Sequence, residues 1–527
     1  MTLSPRRLWP TALFLGVAFD FLFWGKNPGV SFAIYVALCL GGGLFVLILE
    51  KQHPSSGASG LLLPIGLLAA MTAIRAEPMS LFLAHALTLL LMALLATTYR
   101  GGLWFRYSLS DYFLRLLRLA GSTLTLGATA LARARRRENK AAMRGDILPH
   151  IKAVMIGLLL ALPVVIIFAS LLSSADPVFA RRMNDLISLF RLEKLPEYFF
   201  RLVLIALVAY ALAGVFLHAA LRSEDEHLIG IESPLLKPFL GITEAVTVLG
   251  SVLLLFASFV SIQFRYFFGG QANISLEGYT YAEYARRGFG ELVTVAFFTL
   301  LLLLSLSAIT RRTGRARLVF AAFGSGLVAL VLVILVSAFQ RLLLYEEAYG
   351  FSRLRTYTHV FIPWLGALLI AVAALEFLQR QRLFATAALL STLGFAITLN
   401  LLNVDAFIAR QNVARHARGE ELDITYLSTL SEDAIPTLVS LYRTPSLPSR
   451  TRHLVAVTLA CYRNLNNYRL SEERPWQSSR LSYRQARYAL ESLQDDLSAY
   501  RLDPEGWPVT IVAPDGEAFD CSEGGYH

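Results

Sequence analysis

The sequence predicts an all-α fold, a polytopic bundle of about eleven transmembrane helices followed by a small helical extracytoplasmic C-terminal domain. Hydrophobic residues make up 55% of the 527 residues. The mean hydropathy of +0.54 lies outside the range of ordinary soluble domains. Up to Leu402, apolar stretches alternate with short charged loops. Because lipid offers the backbone no hydrogen-bond partners, each apolar stretch is expected to be a helix.

The transmembrane spans follow from the apolar stretches taken in chain order. Arg6 and Arg7 precede the first stretch as in a signal sequence, but no small-residue cleavage site follows it. An uncleaved first helix is therefore predicted. The first and third stretches are short for a bilayer crossing. The predicted spans are residues 11–24, 31–49, 61–74, 81–98, 153–172, 202–220, 240–264, 292–309, 318–338, 360–378 and 383–402.

The distribution of charge sets the expected orientation. Lys and Arg number 48 against 38 acidic residues, a net charge of +10. The basic residues concentrate in loops 133–144, 311–317 and 380–382 between apolar stretches, so nucleic acid is excluded as a partner and the lipid bilayer is expected. The positive-inside rule then places these loops and the N-terminus in the cytoplasm. An odd number of spans places the C-terminus on the opposite side.

Residues 1–402 are thus predicted to form the transmembrane bundle, with a basic cytoplasmic linker at 101–150. Within this linker, Arg115 and Arg118 lie three residues apart in segment 111–119. That spacing fits a helix lying on the membrane surface. A solvated positive-inside linker explains the same charges.

Residues 403–527 differ sharply in composition and are predicted to form a separate, mainly helical soluble domain. They contain 13 Arg, no Lys and 17 acidic residues. Apolar residues recur there at helical spacing, and Ser431 and Asp433 resemble a helix cap. Cys461 and Cys521 either pair, if this domain is extracytoplasmic, or are two unrelated thiols. An envelope protein partner is one candidate ligand of this domain.

Ionisable groups inside apolar stretches are costly to bury, so each is a candidate functional residue. Glu244 is the strongest, as a proton or cation site facing the bundle interior, although a hydrogen bond to a neighbouring helix near the inner interface is the favoured explanation, because such contacts are common. Asp20 and His85 are weaker candidates, because a position near the membrane interface or a contact with one neighbouring side chain would explain each of them without a function. Glu376 lies four residues before Arg380, which favours an ordinary pair along one helix.

A second group of candidates lies just before the predicted span at 292–309. On a helix, Glu283, Arg287 and Glu291 share one face, with Arg286 displaced around it. This charged outer face could bind an anionic headgroup or solute through its arginines. An ion-pair ladder that fixes the helix is the alternative.

The sequence displays no phosphate-binding loop, dinucleotide fingerprint, zinc motif or nucleophile elbow. No catalytic residue, metal or cofactor is therefore predicted. Three functions remain open: transport or permeation of a small solute or ion, an outer-face enzyme acting on a lipid or lipid-linked substrate, and a non-catalytic envelope sensor or assembly factor. Transport is the most concrete, because many spans can enclose a path.

Six segments of the chain are distinctive in combination: 20–32 (DFLFWGKNPGVSF), 174–180 (SADPVFA), 263–270 (QFRYFFGG), 280–291 (TYAEYARRGFGE), 403–412 (NVDAFIARQN) and 422–438 (LDITYLSTLSEDAIPTL). Together they resemble a family of uncharacterised bacterial membrane proteins, domain of unknown function 4173, over most of the chain. The resemblance implies a bacterial multi-pass membrane protein without an established reaction, cofactor or catalytic residue. The expected location is the bacterial inner membrane.

Overall fold

The computed structural model shows a chain built almost entirely of helices. Most of the predicted span at 153–172 and the end of the basic linker, 143–150, lie outside the described residues. The structure describes residues 4–142, 157, 161, 165, 167–179, 181–183, 195–224, 238–268, 289–312, 314–469, 475–503 and 510–521.

The helices of the bundle follow the apolar stretches in order. The first seven labelled here are α1 (Pro5–Phe23), α2 (Val30–Leu49), α3 (Ser56–Ser59), α4 (Leu62–Thr72), α5 (Pro78–Thr98), α6 (Leu109–Ala142) and α7 (Leu195–Leu221). The next five are α8 (Ile242–Phe268), α9 (Phe289–Ile309), α10 (Arg315–Tyr349), α11 (Arg353–Phe377) and α12 (Phe384–Leu402).

Eight helices of the described chain are long and apolar enough to cross a membrane. They are α2, α5 and α7 to α12, so the predicted all-α polytopic fold is confirmed. The predicted span 11–24 falls in α1, which is not one of the eight. The predicted span 61–74 contains α4, a helix of only 11 residues. At about 1.5 Å per residue, α4 is too short to cross a bilayer by itself.

Two apolar cores organise the bundle. One joins α1, α2, α5, α6 and α7, with Leu15 and Phe216 among its buried members. The other joins α8 to α11 around Leu303 and Val331. A third cluster packs Leu393 of α12 against α2, α4 and α5, so α12 connects the two halves.

Helix α6 covers most of the segment predicted to be a basic linker. It is 34 residues long and packs antiparallel against α7. Gly127 contacts the ring of Tyr210, midway along α7, and the Tyr210 hydroxyl donates to the Leu124 carbonyl. Near the start of α6, the buried Ser122 hydroxyl is hydrogen-bonded to His218 Nδ1. Small residues permit this close approach, as is common between membrane helices.

Gly214 of α7 supplies the closest backbone approach to α6. A Cβ added there would lie 2.4 Å from the carbonyl oxygen of Thr123. We expect Gly214→Ala to lower the free energy of unfolding by about 1–3 kcal/mol, since helix backbones cannot yield as a flexible side chain does. Thermal unfolding in detergent measures the effect. Gly41→Ala is the matched control, because a Cβ at Gly41 meets nothing within 4 Å; an equal loss in both variants would contradict the α6–α7 contact.

The C-terminal region is mainly helical, as predicted, but it also contains a small sheet. Its helices are α13 (Val404–His416), α14 (Ile424–Ser428), α15 (Ile435–Tyr442), α16 (Ser449–Arg469), α17 (Leu481–Glu491) and α18 (Gln494–Leu497). Strands β1 (Arg501–Asp503), β2 (Thr510–Val512) and β3 (Ala518–Asp520) form an antiparallel sheet in that order, with Ile511 opposite Leu502 and Phe519. Hydrophobic patterning over three-residue strands is too short to predict them.

The open question about the two cysteines is answered by a disulfide. Cys461 of α16 is bonded to Cys521, directly after β3, with 5.5 Å between their Cα atoms. The bond ties the sheet to the helical part of the C-terminal region.

The C-terminal region packs directly on one end of the bundle, which we call the C-terminal pole. Its core is continuous with Val360 of α11 and Leu399 of α12. The Val30 amide donates to the Ser479 carbonyl at 2.9 Å, and the Leu481 amide donates to the Ala73 carbonyl at 2.8 Å. These backbone contacts join α2 and the α4–α5 loop to the C-terminal region.

Candidate functional site

A cavity lined by described residues opens at the end of the bundle opposite the C-terminal pole. It measures about 740 Å³ and carries five arginines, so we call it the arginine pocket. Its lining residues are Arg106, Pro238, Ser307, Thr310, Arg312, Arg317, Gln379, Arg380, Gln381, Arg382 and Leu383.

Two tight connections bring these arginines together. Between α9 and α10, the Arg311 amide donates to the Leu240 carbonyl at 2.8 Å, which ties the connection to the start of α8. Gly314 then turns into α10 with a φ of +53°. Between α11 and α12, Gln379 has a φ of +57° and a short 3-10 turn, Gln381–Leu383, leads into α12. Both loops therefore present their charges at the same end of the bundle.

Glu376 lies beside the pocket and accepts hydrogen bonds from three of its lining residues. Arg312 Nη1 lies 2.6 Å from Oε2, and Gln381 Nε2 lies 3.0 Å from the same oxygen. The Ser307 hydroxyl donates to Oε1. Sequence spacing favoured Arg380 as the partner of Glu376, whereas the described ion pair is with Arg312.

A second, very small cavity lies on the bundle side of Glu376. Its volume is about 10 Å³, close to the space that one water occupies. Glu376 and Ser325 are among its lining residues, and the buried Ser325 hydroxyl has no hydrogen-bond partner in the described structure. Leu303, Phe320 and Val328 supply the apolar walls. Glu376 thus separates the open pocket from a nearly closed apolar interior.

Glu244 does not face the bundle interior, contrary to the expectation for a coupling site. It is exposed in the first turn of α8, where its carboxylate curls towards Gly241. A carboxylate at this position is stabilised by the partial positive charge of a helix N-terminus. The span begins at Ile242, so Glu244 lies within one turn of its end.

Asp20 and His85 each have a packing partner. Asp20 is 6% exposed and accepts from Arg201 of α7, with Nε–Oδ1 at 3.0 Å and Nη2–Oδ2 at 2.5 Å. His85 Nδ1 lies 2.7 Å from the Leu81 carbonyl, and its ring packs on Phe32 with centroids 4.3 Å apart.

The outer-face candidates are only partly described. Glu283, Arg286 and Arg287 lie outside the described residues. Glu291 is exposed in the first turn of α9. The predicted binding face formed by these four residues therefore stays a prediction.

A buried charged network at the C-terminal pole was not predicted from the sequence. Asp405 accepts from Arg353 through both oxygens, at 2.8 and 2.6 Å, and from the Ser431 amide at 2.6 Å. Asp433 accepts from the Ala76 amide at 2.8 Å. Burial raises the pKa of Asp433, while this amide and the charge of Arg75 act in the opposite direction. These bonds connect α13 and the segment before α15 to the bundle.

One group of described side chains has the composition of a metal site. Potential ligand atoms of His453, Asp515 and Glu517 all lie within 4.8 Å of one another. The two carboxylates are exposed on the turn between β2 and β3. The sequence spacing did not predict this group, because His453 belongs to a distant helix.

The eight apolar helices define an all-α integral membrane protein of unknown activity. The chain belongs to the family described as Domain of unknown function (DUF4153), whose model matches residues 62–441. The resemblance noted in the sequence indicated an uncharacterised family of this kind, but under a different number, 4173. The match includes every lining residue of the arginine pocket and ends before Cys461. No curated protein and no solved structure matches the chain.

Proposed function

We propose that this protein carries a small anion across the bacterial inner membrane and that the arginine pocket is its cytoplasmic binding site. The observation that carries the proposal is the convergence of five arginines on one cavity of about 740 Å³. Guanidinium groups bind phosphate, sulfate and carboxylate groups through paired hydrogen bonds. The volume is sufficient for a small oxyanion together with several waters.

Two features support the proposed orientation. The basic loops at 311–317 and 380–382 converge at the arginine pocket, and the positive-inside rule favours the cytoplasm for this pole. The third basic stretch, which begins at residue 133, is carried away from this pole because α6 runs antiparallel along α7, so that stretch does not support the orientation. The disulfide between Cys461 and Cys521 lies in the C-terminal region at the other pole, and disulfides persist in oxidising extracytoplasmic compartments. We therefore place the N-terminus inside and residues 403–527 outside.

The described conformation leaves the pocket open to one side. Leu303, Phe320 and Val328 are buried beyond Glu376 and separate the pocket from the opposite pole. Transporters expose a site alternately to the two sides through movement of one group of helices against another. Helices α9, α10 and α11 would have to separate for an anion to pass.

Transport is tested with the full chain in proteoliposomes that contain radiolabelled sulfate or phosphate. We expect the double variant Arg317→Gln with Arg380→Gln to reduce anion flux by about tenfold or more, because each charge-assisted hydrogen bond contributes about 1.5–3 kcal/mol. Arg315→Gln is the matched control. Arg315 is an exposed arginine of α10 that does not line the pocket.

Equal flux in wild type, double variant and control, at the level of empty vesicles, would contradict transport. The pocket could then still hold the phosphate of a lipid headgroup, since basic pockets between helices at the cytoplasmic face bind such groups. Mass spectrometry of protein extracted from phosphatidylglycerol vesicles distinguishes a soluble anion from a lipid headgroup as the bound group. Retained phospholipid that is lost in the double variant would identify a lipid site.

A further inference from the structure

We propose that Glu376 is a built-in competitor for the anion site, so that loss of its negative charge strengthens anion binding. This inference rests on the proposed function, because it concerns the same arginine pocket. The carboxylate of Glu376 is itself an anion, and the groups that hold it are pocket groups.

The contacts of Glu376 carry the argument. Ser307, Arg312 and Gln381 all line the pocket, and all three donate to the Glu376 carboxylate. The side chains of Arg312 and Glu376 are only 13% and 12% exposed. Arg312 also donates to the Ser307 carbonyl at 2.6 Å, which fixes its guanidinium at the pocket wall. A tethered carboxylate therefore occupies the most enclosed donors of the pocket.

The surrounding charges are almost all positive. Arg312 faces Glu376 from the α9–α10 connection, and Arg317 of α10 donates a hydrogen bond of 3.1 Å to the side chain of Gln379, three residues after Glu376. Arg380 and Arg382 lie on the α11–α12 connection, and Arg106 lies on the 3-10 turn after α5. The described lining contains no carboxylate, and Glu376 lies directly beside it.

The consequence is a competition between the Glu376 carboxylate and the incoming anion. An anion that takes the donors of Arg312 must displace the ionised carboxylate, which then loses its ion pair in a partly buried site. A neutral side chain of the same shape carries no negative charge to displace and holds Arg312 less strongly.

Sulfate is the probe of choice, because phosphate changes its charge near neutral pH. Radiolabelled sulfate binding is measured on the full chain in nanodiscs at a fixed pH of about 8. Glu376→Gln retains the shape of the side chain and should bind sulfate about tenfold more tightly than wild type, because the amide carries no negative charge that the anion must displace.

Glu50→Gln is the matched control. Glu50 pairs with Arg7 at 3.6 Å at the same pole but does not line the pocket, so Glu50→Gln should bind sulfate with wild-type affinity. A gain of affinity in Glu376→Gln is a result that a purely structural ion pair does not produce. Thermal unfolding establishes that each variant is folded.

The outcomes separate this inference from the proposed function. Sulfate binding that depends on Arg317 and Arg380 but is equal in wild type and Glu376→Gln would overturn the competitor role and leave the anion site intact. Wild-type affinity in Glu376→Ala would do the same even if Glu376→Gln failed to fold. Absence of sulfate binding in wild type and in Glu376→Gln would overturn both proposals, whereas binding in the variant alone would support both.

Discussion

Replacement of Asp405 by Asn is expected to lower the free energy of unfolding by about 3–5 kcal/mol. The Asp405 side chain is completely buried, and its two oxygens accept from the Arg353 guanidinium and from the Ser431 amide. Removal of its charge leaves the Arg353 guanidinium, 26% exposed, without its counterion. An uncompensated buried charge costs far more than the loss of an exposed ion pair.

Thermal and denaturant unfolding of the protein in detergent measure this effect. Glu491→Gln is the matched control, because it removes one partner of the exposed Arg487–Glu491 pair in the same region. That pair is expected to contribute less than about 1 kcal/mol. Similar small losses in both variants would show that the Arg353–Asp405 pair does not hold the C-terminal region on the bundle.

Loss of the disulfide is expected to have an effect of similar size, confined to the C-terminal region. Cys461 and Cys521 are 60 residues apart in sequence, so the bond restricts a long loop in the unfolded chain. The chain-entropy account gives about 4 kcal/mol for a loop of this length. In the double variant Cys461→Ser with Cys521→Ser, the sheet and the end of α16 should become sensitive to protease first.

Limited proteolysis with and without a reducing agent provides the measurement and its control together. Reductant should make the wild type as sensitive as the double variant and should leave the double variant unchanged. The remaining free cysteine described, Cys39, is buried within α2 and is present in both proteins. Equal resistance of all four samples would contradict a stabilising disulfide.

Segment 318–338 shows which part of a helix the local hydrophobicity of the sequence can predict. Its hydrophobicity predicted a span, and α10 contains all of it, but α10 continues to Tyr349. The extension packs against α13, where Arg415 donates to the Glu347 carbonyl at 2.9 Å and Asn412 exchanges hydrogen bonds with the backbone of Phe351. Hydrophobic patterning identifies the part of a helix that is stable in lipid. It does not report helix ends that are stabilised by distant polar partners.

The candidate site also depends on contacts between distant residues, which local sequence does not predict. Sequence reasoning selected Glu244 because its apolar neighbours made a buried charge conspicuous, yet the structure exposes it. Glu376 was assigned to Arg380 by helical spacing, whereas Arg312 is its partner across 64 residues of sequence. The basic loops at 311–317 and 380–382 were used to predict topology. The structure shows that these loops lie close together and line one pocket, which their sequences did not indicate.

The amino-acid sequence alone was sufficient for the membrane class, the all-α fold and most helix positions, because each apolar stretch must satisfy its own backbone hydrogen bonds in lipid. The pairing of charges was settled by the tertiary structure, as Arg353–Asp405 and Arg312–Glu376 show. The tertiary structure also decided the packing of α6 on α7 and the pairing of Cys461 with Cys521. The physical reason is that an ion pair, a close helix contact or a disulfide depends on distances between residues far apart in the chain, which local hydrophobicity does not encode.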